Sequence, residues 1–178
     1  MQWKSTPEQY ATLPVALHWL SAVAIIALLI SGNIASDAPS FQKMDILAIH
    51  TIIGGTVGIL TVLRLFWWWT IDTKPAEQAG QSQLQLAIAK WVHRLLYLLV
   101  LIMVISGIRM LFLWDLFPVL FGDGSLPLPT IENRPPRIIH GIASKILIAL
   151  TVLHVIAGLY HHFFKHDTTL KRMWFGNS

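Results

Sequence analysis

Uncharged stretches alternate with polar links along the chain, and the stretches are long enough to cross a bilayer. Gln9 to Ser36 contains no Asp, Glu, Lys or Arg. Its centre, Leu13 to Ile34, has 22 residues, about 33 Å as a helix, against the roughly 20 residues that a hydrocarbon layer requires. The first span is therefore placed at 13–34. It is long for the apolar part of a secretory leader and follows a single lysine, Lys4, so it is expected to stay as an anchor. The second span, 44–69, holds 18 uncharged residues from Ile46 to Leu63, then Arg64 and the tryptophans Trp67, Trp68 and Trp69, whose indoles mark a membrane interface. A polar link from Asp72 to Gln85 leads to the third span, 91–114, with Arg94 near its start and Arg109 near its end. Long basic side chains reach the interface from both places. The fourth span, 138–164, has Lys145 as its one internal charge. Between the last two, Asp115, Pro118, Gly122, Gly124, Pro127, Pro129, Pro135 and Pro136 break up any long helix, leaving a segment long enough to cover something.

Composition supports this pattern. Of 178 residues, 54% are hydrophobic and 12% charged, and mean hydropathy is +0.60, well above the usual range of a water-soluble domain. The expected fold class is an all-α membrane protein, one four-transmembrane-helix bundle over residues 1–178. Large multidomain enzymes are excluded, and so little polar surface argues against nucleic acid. No tract repeats with a fixed period. One side of the bundle carries Lys4, Arg64, Lys74, Lys90, Arg94, Lys165, Lys171 and Arg172 against four acidic residues, net +4. The other carries Lys43, Arg109, Arg134, Arg137 and Lys145 against Asp37, Asp45, Asp115, Asp123 and Glu132, net zero. The richer side faces the cytoplasm by the positive-inside rule. Both termini are thus expected there, in a multi-pass membrane protein.

The chemistry rests on histidine. With no cysteine in the chain, disulfides, thiolate sites, iron–sulfur clusters and covalent c-type haem are excluded. There are eight histidines, and polar side chains in hydrocarbon are costly and usually functional. His18, His93, His154, His161 and His162 fall toward the cytoplasmic side; His50 and His140 fall toward the outer side. His140 and His154 are 14 residues apart, about 21 Å of rise and within about 40° of one helical face. One helix thus serves two stacked sites. Haem b takes axial imidazoles from both sides of a flat ring, so each site needs histidines on two helices at one depth. His50 with His140 fits an outer site; His154 pairs with either His18 or His93 at an inner one, and spacing does not choose between them. The 14-residue interval recurs from His18 to Gly32, His50 to Arg64 and His93 to Gly107. Glycines at that level give a wide ring room beside the backbone, and Gly54 and Gly58 extend the small-residue stripe from His50. Arg64 is placed to neutralise a haem propionate. Beyond His154, the neutral imidazoles of His161 and His162 can hydrogen-bond a quinone carbonyl or pass protons to it.

These residues resemble the prokaryotic cytochrome b561 family, four-helix membrane proteins with two haems b. The resemblance covers nearly the whole chain. It rests on Ala16-Leu17-His18-Trp19-Leu20, Ile49-His50 with Gly54, Arg64, His93-Arg94-Leu95-Leu96-Tyr97, His140, His154, His161-His162-Phe163-Phe164 and Asp167-Thr168-Thr169-Leu170-Lys171-Arg172-Met173, in that order. It implies that His18 and His154 ligate the inner haem iron and His50 and His140 the outer one. His93 becomes a partner of a ligand or a propionate. The family passes electrons between a periplasmic donor and membrane quinone, and one activity within it oxidises superoxide with quinone as acceptor. Similar cytochromes serve as haem-bearing membrane subunits of hydrogenases and dehydrogenases, an alternative role. A cofactor-free proton-coupled transporter using the histidines as a relay is the competing class. Arg109, Arg134, Arg137 and Lys145 would attract an anionic donor locally, since the outer side sums to zero.

Overall fold

The computed structural model describes residues 2–77, 80–131 and 133–175. They form five α-helices: α1 (Thr12–Asp37), α2 (Ser40–Thr70), α3 (Gln83–Leu113), the short α4 (Leu116–Phe121) and α5 (Pro135–Phe163), followed by a 3₁₀ turn at Lys171–Met173. No strand occurs among the described residues. α1, α2, α3 and α5 are each long and apolar enough to cross a membrane, and their outward surfaces carry large exposed apolar residues such as Ile26, Ile59, Ile105 and Val152. A water-soluble protein would bury such faces; lipid covers them here. The chain is a multi-pass membrane protein.

The helices begin before the apolar spans expected from the sequence. α3 starts at Gln83 rather than near 91, because Ser82 and Gln85 form a reciprocal cap: the Ser82 hydroxyl accepts from the Gln85 N–H at 3.2 Å and the Gln85 side chain accepts from the Ser82 N–H at 2.9 Å. α5 opens on Pro135 and Pro136, where a missing N–H costs nothing. Between α3 and α5 the chain makes one further short helix. Asp115 enters the left-handed region at φ 46° to start α4, which packs against α2 and α3.

α1 packs chiefly on α2, and α3 on α5, so the bundle is two helical hairpins side by side. The hairpins echo one another in sequence. Ile30-Ser31-Gly32 ends 14 residues after His18, and Ile105-Ser106-Gly107 ends 14 after His93. Leu60-Thr61-Val62-Leu63 leads to Arg64 in α2, and Leu150-Thr151-Val152-Leu153 leads to His154 in α5. The offset is 75 residues for the first helices and 90 for the second, because the α3–α5 link is the longer, and so no fixed period exists. Midway along each 14-residue interval stands an apolar residue: Ile25, Val57, Val100 and Leu147. Val57, Val100 and Leu147 belong to the buried core, with Ile25 packed against it. An apolar plug thereby separates two histidine layers.

One end of the bundle is fastened by chain outside the helices. The backbone N–H of Ser5 donates to both carboxylate oxygens of Asp72, at 3.2 and 3.0 Å, and the Ser5 hydroxyl donates at 2.7 Å. Arg172 Nη2 donates to the carbonyls of Pro7, 2.9 Å, and Ala76, 2.8 Å. Trp19 Nε1 donates to the Met173 carbonyl at 2.7 Å. The N-terminal segment, the α2–α3 link and the C-terminal segment therefore meet at a single end, beside the layer of His18 and His154.

Candidate functional site

At the outer layer, α2 supplies His50 and α5 supplies His140, with ring centroids 6.4 Å apart. Each ring is held by a serine from the partner helix of its own hairpin. Ser31 Oγ lies 2.9 Å from His50 Nδ1 and Ser106 Oγ lies 2.9 Å from His140 Nδ1. Each serine proton has its own acceptor: Ser31 donates to the Leu28 carbonyl at 3.2 Å, and Ser106 to the Ile102 carbonyl at 2.6 Å. A hydroxyl has one proton and two lone pairs, so the serine oxygens are free to accept the Nδ1–H of the histidines. That leaves Nε2 with its lone pair, the form that binds a metal. Sequence reading missed both serines. The shared Ile-Ser-Gly is the signal that points to them.

Glycines stand against these rings. A Cβ on Gly32 would meet His50 Cε1 at 3.3 Å, and one on Gly107 would meet His140 Cε1 at 3.7 Å. Gly54 and Gly58 behave differently. A Cβ on Gly54 would touch Leu28 at 3.9 Å, and one on Gly58 would press Val104 at 3.0 Å, which makes Gly58 a point of close α2–α3 packing.

At the inner layer three histidines converge. His18 of α1 and His154 of α5 have ring centroids 6.3 Å apart, while His93 of α3 sits 5.3 Å from His154. His93 Nδ1 donates to the Ala89 carbonyl at 2.7 Å. Arg64 lies within electrostatic reach of all three. Its guanidinium sits 5.5 Å from the Tyr97 ring centre, and its buried Nε has no hydrogen-bond partner among the described residues. Among the described residues no carboxylate pairs with it. Lys74, in the link above, adds a second charge: burial, then the Arg64 and Arg94 charges, hold its ammonium below the ordinary lysine range. Charge counting put Lys74 on this side but did not set it beside Arg64, because only the folding of the link brings the two together. Farther out, His161 Nδ1 pairs with the Asp167 carboxylate. Burial pushes that carboxyl up, but hydrogen bonds from His161 and Thr169 outweigh burial and hold it below its usual value. His162 Nδ1 is buried without a partner among the described residues.

The family profile described as Prokaryotic cytochrome b561 matches residues 9–176. The chain belongs to this family. Among its relatives, Cytochrome b561 homolog 2 of Escherichia coli (strain K12) is 28% identical over 182 aligned residues, covering 97% of this chain and 95% of the relative. The probable superoxide oxidase CybB of Yersinia pestis is 25% identical over 172 aligned residues, covering 93% of this chain and 96% of the relative. The protein is thus a membrane b-type cytochrome that works in electron transfer.

The cytochrome's residues fit haem b. Two metal–imidazole bonds of about 2.0–2.1 Å, with about 1.1 Å from each nitrogen to its ring centre, put two axial rings roughly 6.3 Å apart. Two pairs in the bundle meet that spacing, at 6.3 and 6.4 Å; the His93–His154 separation of 5.3 Å is too short for it. Buried Arg64 Nε lacks an acceptor among the described residues, as a group awaiting a propionate oxygen would.

Proposed function

We propose that this cytochrome carries two haems b and passes electrons from superoxide on the periplasmic side of the inner membrane to quinone. The observation that carries the reading is the pair of imidazole couples with matched separations, 6.3 and 6.4 Å, on either side of an apolar plug. His18 and His154 hold the inner haem, and His50 and His140 the outer one. Haem b, held by those four imidazoles, would supply one-electron redox chemistry in both places.

The remaining residues position and neutralise. Arg64, with Lys74 close by, offers positive charge to propionates at the inner layer, where low dielectric makes an unpaired cation costly. His93, fixed by its bond to the Ala89 carbonyl, turns Nε2 toward that layer as a hydrogen-bonding partner. Gly54 lies one turn from His50, and a Cβ there would meet Leu28 at 3.9 Å, so its bare backbone leaves room beside the outer layer. His161 and His162 recognise quinone: His161 is oriented by Asp167, and the buried ring nitrogen of His162 needs a partner that a quinone carbonyl supplies. At the other end Arg109, Arg134, Arg137 and Lys145 draw the anionic donor inward. The name of the Yersinia pestis relative supports superoxide as that donor. Two superoxide ions lose one electron each and leave as dioxygen; quinone gains both electrons and two protons to become quinol. The excess of Lys and Arg on the side of the termini supports a cytoplasmic position for that end. Glu132, counted on the opposite side, lies outside the described residues.

The test joins stoichiometry to kinetics. Purified protein should show sharp b-type bands on dithionite reduction and two haems per chain, and His50→Ala or His140→Ala should remove about half the haem. Stopped-flow mixing with superoxide should reduce the cytochrome, and added quinone should reoxidise it. A colourless preparation, one haem per chain, or indifference to superoxide and quinone overturns the corresponding part of the reading.

A further inference from the structure

The two halves of the molecule treat the outer layer in the same way, and this recurrence carries an inference. In each hairpin the first helix presents a Ser-Gly pair to the histidine of the second. Ser31 faces His50 Nδ1 and Ser106 faces His140 Nδ1, both at 2.9 Å. Gly32 and Gly107, one residue later, lie against the Cε1 edge of the same two rings. Each serine hydroxyl also has a backbone carbonyl of its own helix within donating distance, Leu28 for Ser31 at 3.2 Å and Ile102 for Ser106 at 2.6 Å, and the His140 ring has the Met103 carbonyl as a further partner. Ser31 and Ser106 come from different helices, and 75 residues separate them in the chain. Packing alone does not require a hydroxyl twice at the same place.

We propose that Ser31 and Ser106 are positioning residues for the outer centre, holding His50 and His140 in the Nδ1–H tautomer, fixing ring rotation and strengthening both imidazoles as electron donors. The proposal rests on the assignment of His50 and His140 as outer haem ligands. The physical chain is short. An acceptor on Nδ1–H draws that proton away from the ring, which raises electron density at Nε2. A more basic axial pair stabilises the oxidised iron and lowers the reduction potential of that centre. The carbonyl acceptor for the serine proton matters, because a serine without one would donate to Nδ1 and select the other tautomer. The glycine beside it keeps the ring from being pushed off this bond.

The test uses the full-length holoprotein, with Ser31→Ala, Ser106→Ala, the double variant and the hydroxyl-retaining Ser31→Thr and Ser106→Thr. Ser144→Ala is the control, since its hydroxyl serves the Gly141 carbonyl of its own helix. Optical redox titration should show the outer centre easier to reduce in the double variant, on the order of tenfold in its reduction equilibrium, or about 59 mV for one electron. The inner centre should not move, the Thr variants should restore the wild-type value, and the control should match wild type. Nitrogen-15 spectra of the histidine rings in haem-free protein give a second readout. They should show His50 and His140 with the proton on Nδ1 in the wild type and a mixture of tautomers after Ser→Ala, even for a variant that fails to take up haem. Unchanged potentials with full haem content, or unchanged tautomers, overturn the role of the serines while leaving two haems in place. Should His50→Ala and His140→Ala keep both haems, the ligand assignment itself fails, and the serine proposal with it.

Discussion

At the scale of single residues, scarcity decided what the sequence could reveal. A histidine in hydrocarbon is rare and costly, so His18, His50, His93, His140 and His154 announced themselves, and the 14-residue intervals sorted them into layers. Serine is common in membrane helices, where it satisfies itself on its own backbone. Ser31 and Ser106 do that too, and their bonds to histidine depend on helix register that no local pattern displays. Lys74 was illegible for another reason: a residue in a link acquires its neighbours only when the link folds. The same holds for Asp72, only 9% exposed at the clasped end. Burial raises its carboxyl, but the bonds from Ser5, Thr73 and Trp67 outweigh that and hold it below the ordinary 3.8. A group depressed by folding lends stability above its unfolded value and loses it as pH falls through its folded value. The clasp should therefore be constant from neutral pH down to about 4 and open below the ordinary 3.8. Asp72→Asn should open it partly at neutral pH. Limited proteolysis of residues before Thr12 reads both effects: faster cleavage is expected in acid and in the variant, and equal rates would remove Asp72 from the clasp.

Among helices, length and apolarity were readable and the ends were not. Four spans emerge from hydropathy because bilayer thickness imposes a minimum run. The true termini follow caps instead, which is why α3 reaches back to Gln83 through polar residues. The six residues of α4 lie among glycines and prolines, and tertiary contacts with α2 and α3 support them. Close packing is equally hidden, since a glycine reads alike wherever it falls. Gly55 and Gly58 are one turn apart on α2, yet a Cβ on Gly55 would meet nothing within 4 Å, whereas one on Gly58 would sit 3.0 Å from Val104. Gly58→Ala should consequently cost about 1–3 kcal/mol by overpacking the α2–α3 contact. Gly55→Ala should leave stability unchanged or slightly higher, since alanine favours helix. Thermal unfolding in detergent compares the two, and equal midpoints would show that Val104 yields freely. At the end of α5, His166 takes φ 52°, so His166→Gly suits the backbone and should leave haem content untouched, in contrast to His50→Ala.

For the whole molecule, the likeness between hairpins explains both what is symmetric and what is not. The outer layer takes one histidine from each hairpin at matching places, His50 and His140. At the inner layer Arg64 stands where the second hairpin has His154, so α2 offers no histidine there, and the proposed partner of His154 comes from a first helix. The geometry supports α1 in that role. Fourteen residues of helix separate His140 from His154, about 21 Å at 1.5 Å per residue, in a hydrocarbon layer of about 30 Å. In the proposed two-haem route, an electron stepping inward between the layers would consequently traverse about two-thirds of the membrane's electric field. With the interior negative by 100 mV, that step is opposed by about 1.5 kcal/mol, roughly a tenfold penalty on its equilibrium constant. Vesicles carrying the protein should thus transfer electrons inward less readily when energised than when an ionophore has collapsed the voltage.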